Sequence, residues 1–365
     1  MSFTRSNVRL SVLIALIPLI STLFLTNSFT TSARAASFKV GSTCPHWHIE
    51  KKVNGKLYLC SKMGKKLTWQ PSVAEIQKTI WRDLQKRKMA QPSVRTSLDI
   101  HYSPTVSREF AAAILRGIDS SAQLWQQQYL PKSPLLTLFF SEKDRDWFIS
   151  EMKALGVASE MQLANFDNEV VRNGDRASWA GVTGEGGVTW LVFMVGTGRT
   201  EIDRNMIEVS AHEYAHLAQF AIADRNQEIL SCWQVEGGAA FYGGYVGSKS
   251  IKDLLSSNQV RNNDRGSDGF EGIINTPAGE IEPLLDSFGP NYNNQKCGPD
   301  GAFFLGSIAH EYLYTLKGHD GIIALLKNVA AEGNFEAAIL RTYGKSWPVL
   351  RKEIASYVRL LVSQS

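Results

Sequence analysis

The sequence predicts an α+β fold, in which a small sheet with helices is followed by an α-helical C-terminal lobe and preceded by a small disulfide-stapled β module. Three observations predict it. Strand and helix patterns alternate between Leu98 and Leu155. Helical patterns follow one another from Ala302 to Val362. Between these regions, His212-Glu213-Tyr214-Ala215-His216 sits among apolar residues at helical spacing. With 365 residues and 44% hydrophobic content, the chain can form one large or two medium domains around a core.

Taken in order, the chain opens with Arg5 and Arg9, an apolar run from Leu10 to Leu25, and Ser32-Ala33-Arg34-Ala35-Ala36. A charged start, a short apolar run broken by Pro18, Ser21 and Thr22, and an A-x-A site are the marks of a secretory signal peptide. Residues 1–35 are therefore expected to be cleaved off after Ala35. Their loss removes three arginines from 39 basic residues and leaves 36 against 35 acidic ones. The near balance hides an asymmetry, since Ser37 to Leu98 holds 13 Lys and Arg against 3 Asp and Glu. A basic leader on an acidic body fits non-covalent association with a cell wall or another anionic surface, and a solvated basic linker would carry the same charge. No Walker or G-x-G-x-x-G loop is present, and no nucleic acid is expected as a partner.

Four cysteines follow the cleavage site, an even number in an exported chain, so two disulfides are expected. Of the three pairings, local sequence favours Cys44 with Cys60 and leaves Cys232 with Cys297. Cys44, His46, His48 and Cys60 could also be read as a metal site, but exported cysteine pairs oxidise and C-x-H-x-H lacks a standard spacing. Residues 36–71 read as short strands around Lys56-Leu57-Tyr58-Leu59-Cys60 and Gly64-Lys65-Lys66-Leu67-Thr68-Trp69, a module too small to hold without a staple. The marks K-V-x-G-x-x-Y-x-C and G-K-K-L-x-W resemble a short Cys-bearing repeat of secreted bacterial surface proteins. Residues 72–95 read as a basic helical linker, with Val73, Ile76, Ile80, Trp81 and Leu84 at helical spacing.

The body spans 96–365. Leu98 to Tyr102 and Leu135 to Phe140 read as strands, Ser107 to Leu130 and Glu142 to Leu155 as helices. Val188 to Val195 is the clearest strand, and a helix is expected from about Thr200 to Ala223, opened by Thr200-Glu201-Ile202-Asp203. Ile251 to Pro299 reads as loop-rich because of its Asn, Asp and Gly clusters. Ala302 to Leu316, Gly321 to Ala331, Phe335 to Thr342 and Trp347 to Val362 read as helices. No repeat, C-terminal span or sorting signal is apparent, so release or non-covalent wall association is expected of a secreted, extracellular protein; a monomer is expected as well.

Helical positions four apart share a face, so His212 and His216 can offer two imidazole nitrogens to one Zn²⁺ while Glu213 stands beside the open coordination position. A third ligand is needed, and Glu236, twenty residues beyond His216, lies far enough on for the chain to return as a second helix. H-E-x-x-H followed by Glu236-Gly237-Gly238-Ala239 resembles the gluzincin metallopeptidases of the thermolysin-like MA clan, closely over Asp203 to Tyr245 and diffusely elsewhere. The resemblance implies a zincin-like two-lobed domain, Zn²⁺ on His212, His216 and Glu236, Glu213 as general base, and a peptide or protein substrate. It also implies that Val188 to Val195 is the sheet edge along which peptides lie, although the residues equally fit a simple core strand, and that a Tyr or His of the C-terminal lobe stabilises the oxyanion. Tyr242, Tyr245, His310, Tyr312 and Tyr314 are candidates, with His310 the choice, because Phe303-Phe304 stands where relatives carry Tyr. A thermolysin-like enzyme also has an acid four residues past the third ligand, where this chain has Ala240, so Glu208 or a backbone carbonyl is expected to orient an imidazole instead. Two other readings share these residues: a peptidase-like binding protein without turnover, and a zinc hydrolase of a cell-wall amide.

Overall fold

The structure, a computed structural model, describes residues 38–157, 176–183, 188–197, 204–263, 272–288 and 300–365. The proposed signal peptide, Cys297 and the capping signal at 200–203 lie outside them. The described chain is mixed α+β, and Lys39–Ser365 form one compact unit.

Three antiparallel strands come first: β1 (Glu50–Val53), β2 (Lys56–Met63) and β3 (Lys66–Pro71). Asn54 and Gly55 both take positive φ, 48° and 77°, as a two-residue turn matched to strand twist requires. Cys44 is disulfide-bonded to Cys60 on β2, with Cα atoms 5.7 Å apart, which excludes a thiolate metal site there. Cys232 is disulfide-bonded as well. Ser72 accepts a hydrogen bond from the Glu75 N–H and opens α1 (Val73–Met89), whose Ile80 and Leu84 are buried. The module is tied to the far end of the chain. Gln364 Nε2 donates to Pro71 O and Ser61 Oγ, both at 2.9 Å, while its Oε1 accepts from the Val73 N–H at 2.8 Å. The Trp47 indole donates to Ser363 O at 3.1 Å.

A four-stranded sheet follows, built from β4 (Leu98–Tyr102), β5 (Leu135–Phe140), β6 (Arg176–Thr183) and β7 (Val188–Val195) in the order β4-β5-β7-β6. β4, β5 and β7 are parallel, and β6 runs antiparallel to β7. Parallel neighbours need a crossover, which α2 (Arg108–Trp125) supplies between β4 and β5, and α3 (Arg145–Ala154) covers the opposite face. The alternation is clean. Leu135, Phe139, Leu191 and Phe193 join Ile114 and Ile118 of α2, whereas Leu136, Leu138, Phe140, Trp190 and Val192 join Phe148 and Met152 of α3. Two covered faces explain why β5 is an unbroken Leu-Leu-Thr-Leu-Phe-Phe run. Of the two readings of Val188 to Val195, sheet edge and core strand, the pairing favours the second: β7 lies between β5 and β6 and is an inner strand, and among the described residues β6 lies at the edge.

The helical part comprises α4 (Arg204–Ala223), a 3₁₀ turn (Asp224–Ile229), α5 (Cys232–Gly247), α6 (Ile251–Asn263), α7 (Ile281–Ser287), α8 (Asp300–Glu332), α9 (Phe335–Tyr343) and α10 (Trp347–Val362). α6 and α7 correct the loop-rich reading of Ile251 to Pro299. α8 joins the two helices expected there and is broken at Gly318, whose φ of 63° and ψ of −163° no helix allows. α5 is buried along nearly its whole length, as its Trp-, Phe-, Tyr- and Ala-rich sequence requires. Its glycines set how closely it packs. Cβ atoms built on Gly243 and Gly247 would lie 2.8 Å from Glu208 O and Glu208 Cα of α4, so only glycine lets these helices approach as they do.

Candidate metal centre

His212, Glu213 and His216 lie on α4, whose Ala211, Ala215 and Ala218 are fully buried and draw the helix into the core. Glu236 lies on α5, which opens where Gln234 Oε1 accepts the Ser231 N–H at 2.9 Å. The contact between the helices brings the three expected ligands together. His212 Nε2 lies 3.0 Å from His216 Nε2, and Glu236 Oε2 lies 3.5 Å from the former and 3.3 Å from the latter. All three donor atoms fall within 4.8 Å of one another.

This geometry passes a simple test of fit. Ligands about 2.05 Å from a tetrahedral ion are separated by about 3.3 Å, which is the size of the triangle observed. Two imidazole nitrogens and one carboxylate oxygen form a donor set that could hold a metal ion. His216 and Glu236 are 6% and 8% exposed, and Glu213, the next residue after His212, is 5% exposed. Carboxylates and imidazoles this buried must be compensated. Burial acts to lower the His216 pKa, but the charge and hydrogen bond of Glu236 outweigh it and raise the imidazole to about 9. Burial would raise Glu236, and the two histidines overcome that to hold it at about 2. Glu236 is thus held as a carboxylate beside a favoured imidazolium at His216, and a metal ion bound here would displace that proton.

The surrounding side chains hold the rings. Phe303 of α8 stacks on His212 with ring centroids 5.8 Å apart and planes 11° from parallel, and Phe220 stacks on His216 at 5.7 Å and 10°. Phe303, expected at the place of a missing tyrosine, therefore faces one of the expected ligands directly. Gln219, which the sequence reading did not single out, places Oε1 3.1 Å from His216 Nδ1. It stands three residues beyond His216, and that spacing on a helix was the available signal. Glu208, expected to support an imidazole, accepts a hydrogen bond from Ser257 Oγ of α6.

The oxyanion candidates sit differently. His310 is buried under α5, between Trp233 and Phe241, and burial pushes its pKa down to about 4. Its Nδ1 lies 2.9 Å from Gly306 O, and a carbonyl only accepts, so Nδ1 carries the proton and Nε2 a lone pair. That tautomer has no remaining N–H for an oxyanion, so the donor role expected of His310 does not fit its placement. Tyr312 donates to Glu353 at 2.9 Å and Tyr314 to Asp83 at 2.6 Å, while the Tyr242 hydroxyl lies 2.8 Å from His319 Nδ1. Tyr245 is buried beside Glu311.

Comparison of this chain with protein-family models, curated proteins and solved structures finds no match.

Proposed function

We propose that this chain is a secreted zinc-dependent hydrolase of peptide bonds, a divergent gluzincin with a zincin-like body. The observation that carries the reading is the convergence of His212, His216 and Glu236 from two helices onto one buried point, with Glu213 next to the first ligand. Zinc held by these residues supplies a Lewis acid and brings the pKa of water close to neutrality. The chain's own groups supply the rest. Glu213 takes the proton from the attacking water and returns it to the leaving amine, which needs a carboxylate beside the metal but outside its ligand set. Glu236 and the two imidazoles would hold the ion with a single negative charge among its ligands and so leave it the net positive charge needed to polarise a carbonyl. Phe303 and Phe220 keep the imidazoles in plane and limit access of water to them.

Export is supported by the signal-like start and by the Cys44–Cys60 disulfide. Among the described residues no helix is long and apolar enough to cross a membrane. A protein or peptide is the proposed substrate, and the basic N-terminal module is the proposed contact with an anionic surface.

A second reading, a peptidase-like protein that binds without turnover, is favoured by one observation: the Tyr312, Tyr314 and Tyr242 hydroxyls are engaged with Glu353, Asp83 and His319. Zinc content and hydrolysis of casein, short peptides and peptidoglycan, measured for the wild type and Glu213→Gln, separate the readings. About one zinc per chain in both, with activity lost in Glu213→Gln, supports the peptidase. Zinc without turnover in either protein favours binding, cleavage of peptidoglycan alone favours the cell-wall amide, and a wild type without zinc overturns the proposal.

A further inference from the structure

We propose that Gln219 is the positioning residue of the metal centre, setting the tautomer of His216 and locking the helix that bears Glu236 to the helix that bears both histidines. The inference rests on the reading that the triad holds a metal.

What each atom can donate fixes the arrangement. Gln219 Nε2 lies 3.0 Å from Gln234 O and 3.1 Å from Val235 O, two backbone carbonyls of α5. Carbonyl oxygens only accept, so this end of the side chain is the NH₂ group, and both of its hydrogens are used. The opposite end is then the amide oxygen, which only accepts, and it lies 3.1 Å from His216 Nδ1. His216 Nδ1 must therefore carry a hydrogen. In the neutral imidazole that leaves the lone pair on Nε2, the nitrogen 3.3 Å from Glu236 Oε2 and 3.0 Å from His212 Nε2. The direction of one amide, forced by two carbonyls, thus decides which nitrogen of His216 is a ligand. Those carbonyls belong to the two residues immediately before Glu236, so the same side chain also fixes the third ligand's helix.

Two features show that the site is built for this. Gln219 is 3% exposed, which leaves little room for water to replace it. A Cβ on Gly238 would lie 2.6 Å from Gln219 Nε2, so the second glycine of Glu236-Gly237-Gly238-Ala239 keeps open the space the amide occupies. The choice of side chain follows. Glutamate would place oxygen against two carbonyl oxygens, asparagine is one methylene short, and methionine fills the volume without a single hydrogen bond.

The test uses the full disulfide-bonded chain and zinc alone as probe. Zinc affinity is measured by competition with a chelator for the wild type, Gln219→Met and Gly238→Ala. The histidine tautomers are read from two-bond ¹⁵N–¹H spectra of histidine-labelled protein. Both variants should bind zinc about 10- to 100-fold more weakly, the usual effect of removing an outer-shell partner. In zinc-loaded wild type, His216 should show a proton on Nδ1 and coordination through Nε2. In Gln219→Met that single pattern should give way to a mixture, which a residue needed only for packing would not cause. Wild-type zinc affinity and an unchanged His216 spectrum in Gln219→Met would overturn the inference and leave the metal reading intact. If the variants do not fold, the wild-type spectrum decides: coordination through Nδ1 overturns the inference. A wild type that binds no zinc removes the reading beneath it and the inference together.

Discussion

Gly237 of α5 and Gly306 of α8 meet backbone to backbone: a Cβ on Gly237 would lie 2.3 Å from Gly306 Cα, and one on Gly306 would lie 2.4 Å from Trp233 O. Neither helix can yield without moving its main chain, and Glu236 is the residue beside this contact. Gly306→Ala is therefore expected to lower unfolding free energy by about 3 kcal/mol, the upper end of the usual cost of overpacking, and to weaken zinc binding. Gly244→Ala is the control. Nothing lies within 4 Å of its added methyl, so it should raise stability by about 0.5–1 kcal/mol. Urea midpoints of both variants against wild type check the pair, and equal losses in the two would contradict it.

A buried ion pair ties five helices together. Arg261 Nη1 of α6 lies 2.9 Å from Glu311 Oε1 of α8, and the Glu311 side chain is fully buried. Gln77 Nε2 of α1, at 3.2 Å, and the Tyr357 hydroxyl of α10, at 3.1 Å, donate to Glu311 Oε2, and Tyr245 of α5 lies against the same carboxylate. Removing one charge strands the other, so Arg261→Met should cost about 3–5 kcal/mol. Adding Glu311→Gln should recover part of that loss, and a double-mutant cycle in urea measures the coupling. Additive losses would mean that the charges contribute independently.

Stability should also depend on pH in a stated direction. Burial pushes His310 and His319 down to about 4 from the ordinary 6.5, with Arg87 adding to the effect on His319 and Asp320 and Asp83 opposing it. Their folded values lie below the unfolded ones, so as pH falls the unfolded chain takes up protons first. Their contribution is complete above about pH 6.5 and is lost progressively down to about pH 4, by up to roughly 3 kcal/mol per histidine. Unfolding measured at pH 7, 5.5 and 4.5 checks this, and His319→Gln should remove part of the slope.

Replacing Cys44 and Cys60 together by serine should destabilise the β module by about 3 kcal/mol, because the bond closes a loop with a sequence separation of 16. Faster proteolysis near Asn54 and Gly64, with an unchanged zinc content, is the expected readout. Loss of zinc would show that the module supports the metal centre as well.

Much of this arrangement was legible in the sequence because it depends on local periodicity. The expected bounds of β4, β5 and β7 match the strands observed, since apolar strand runs end abruptly at turns. The convergence of His212, His216 and Glu236 was legible because the donor pattern a metal would need constrains residue type and helical phase together. β6 was missed because Gly181 and its neighbours break the apolar alternation, and α6 and α7 because Asn and Gly clusters flank short helices. The Arg261–Glu311 pair leaves no local mark, as its partners come from helices far apart in the chain. Half of the role of Gln219 was visible in its spacing from His216. The other half, the two carbonyls of α5, exists only once α4 and α5 have packed.

The contacts of Gln364 and Trp47 impose an order in time. The loop between Cys44 and Cys60 is short enough to be oxidised while most of the chain is still emerging, but its seat includes Ser363 and Gln364, some 300 residues later. The module therefore cannot complete its docking until the segment at Ser363 and Gln364 is present. Until it docks, Val73 of α1 lacks the side-chain acceptor that Gln364 provides. A pulse-labelling experiment on the nascent or refolding chain should find the disulfide closed well before the Val73 amide is protected from exchange.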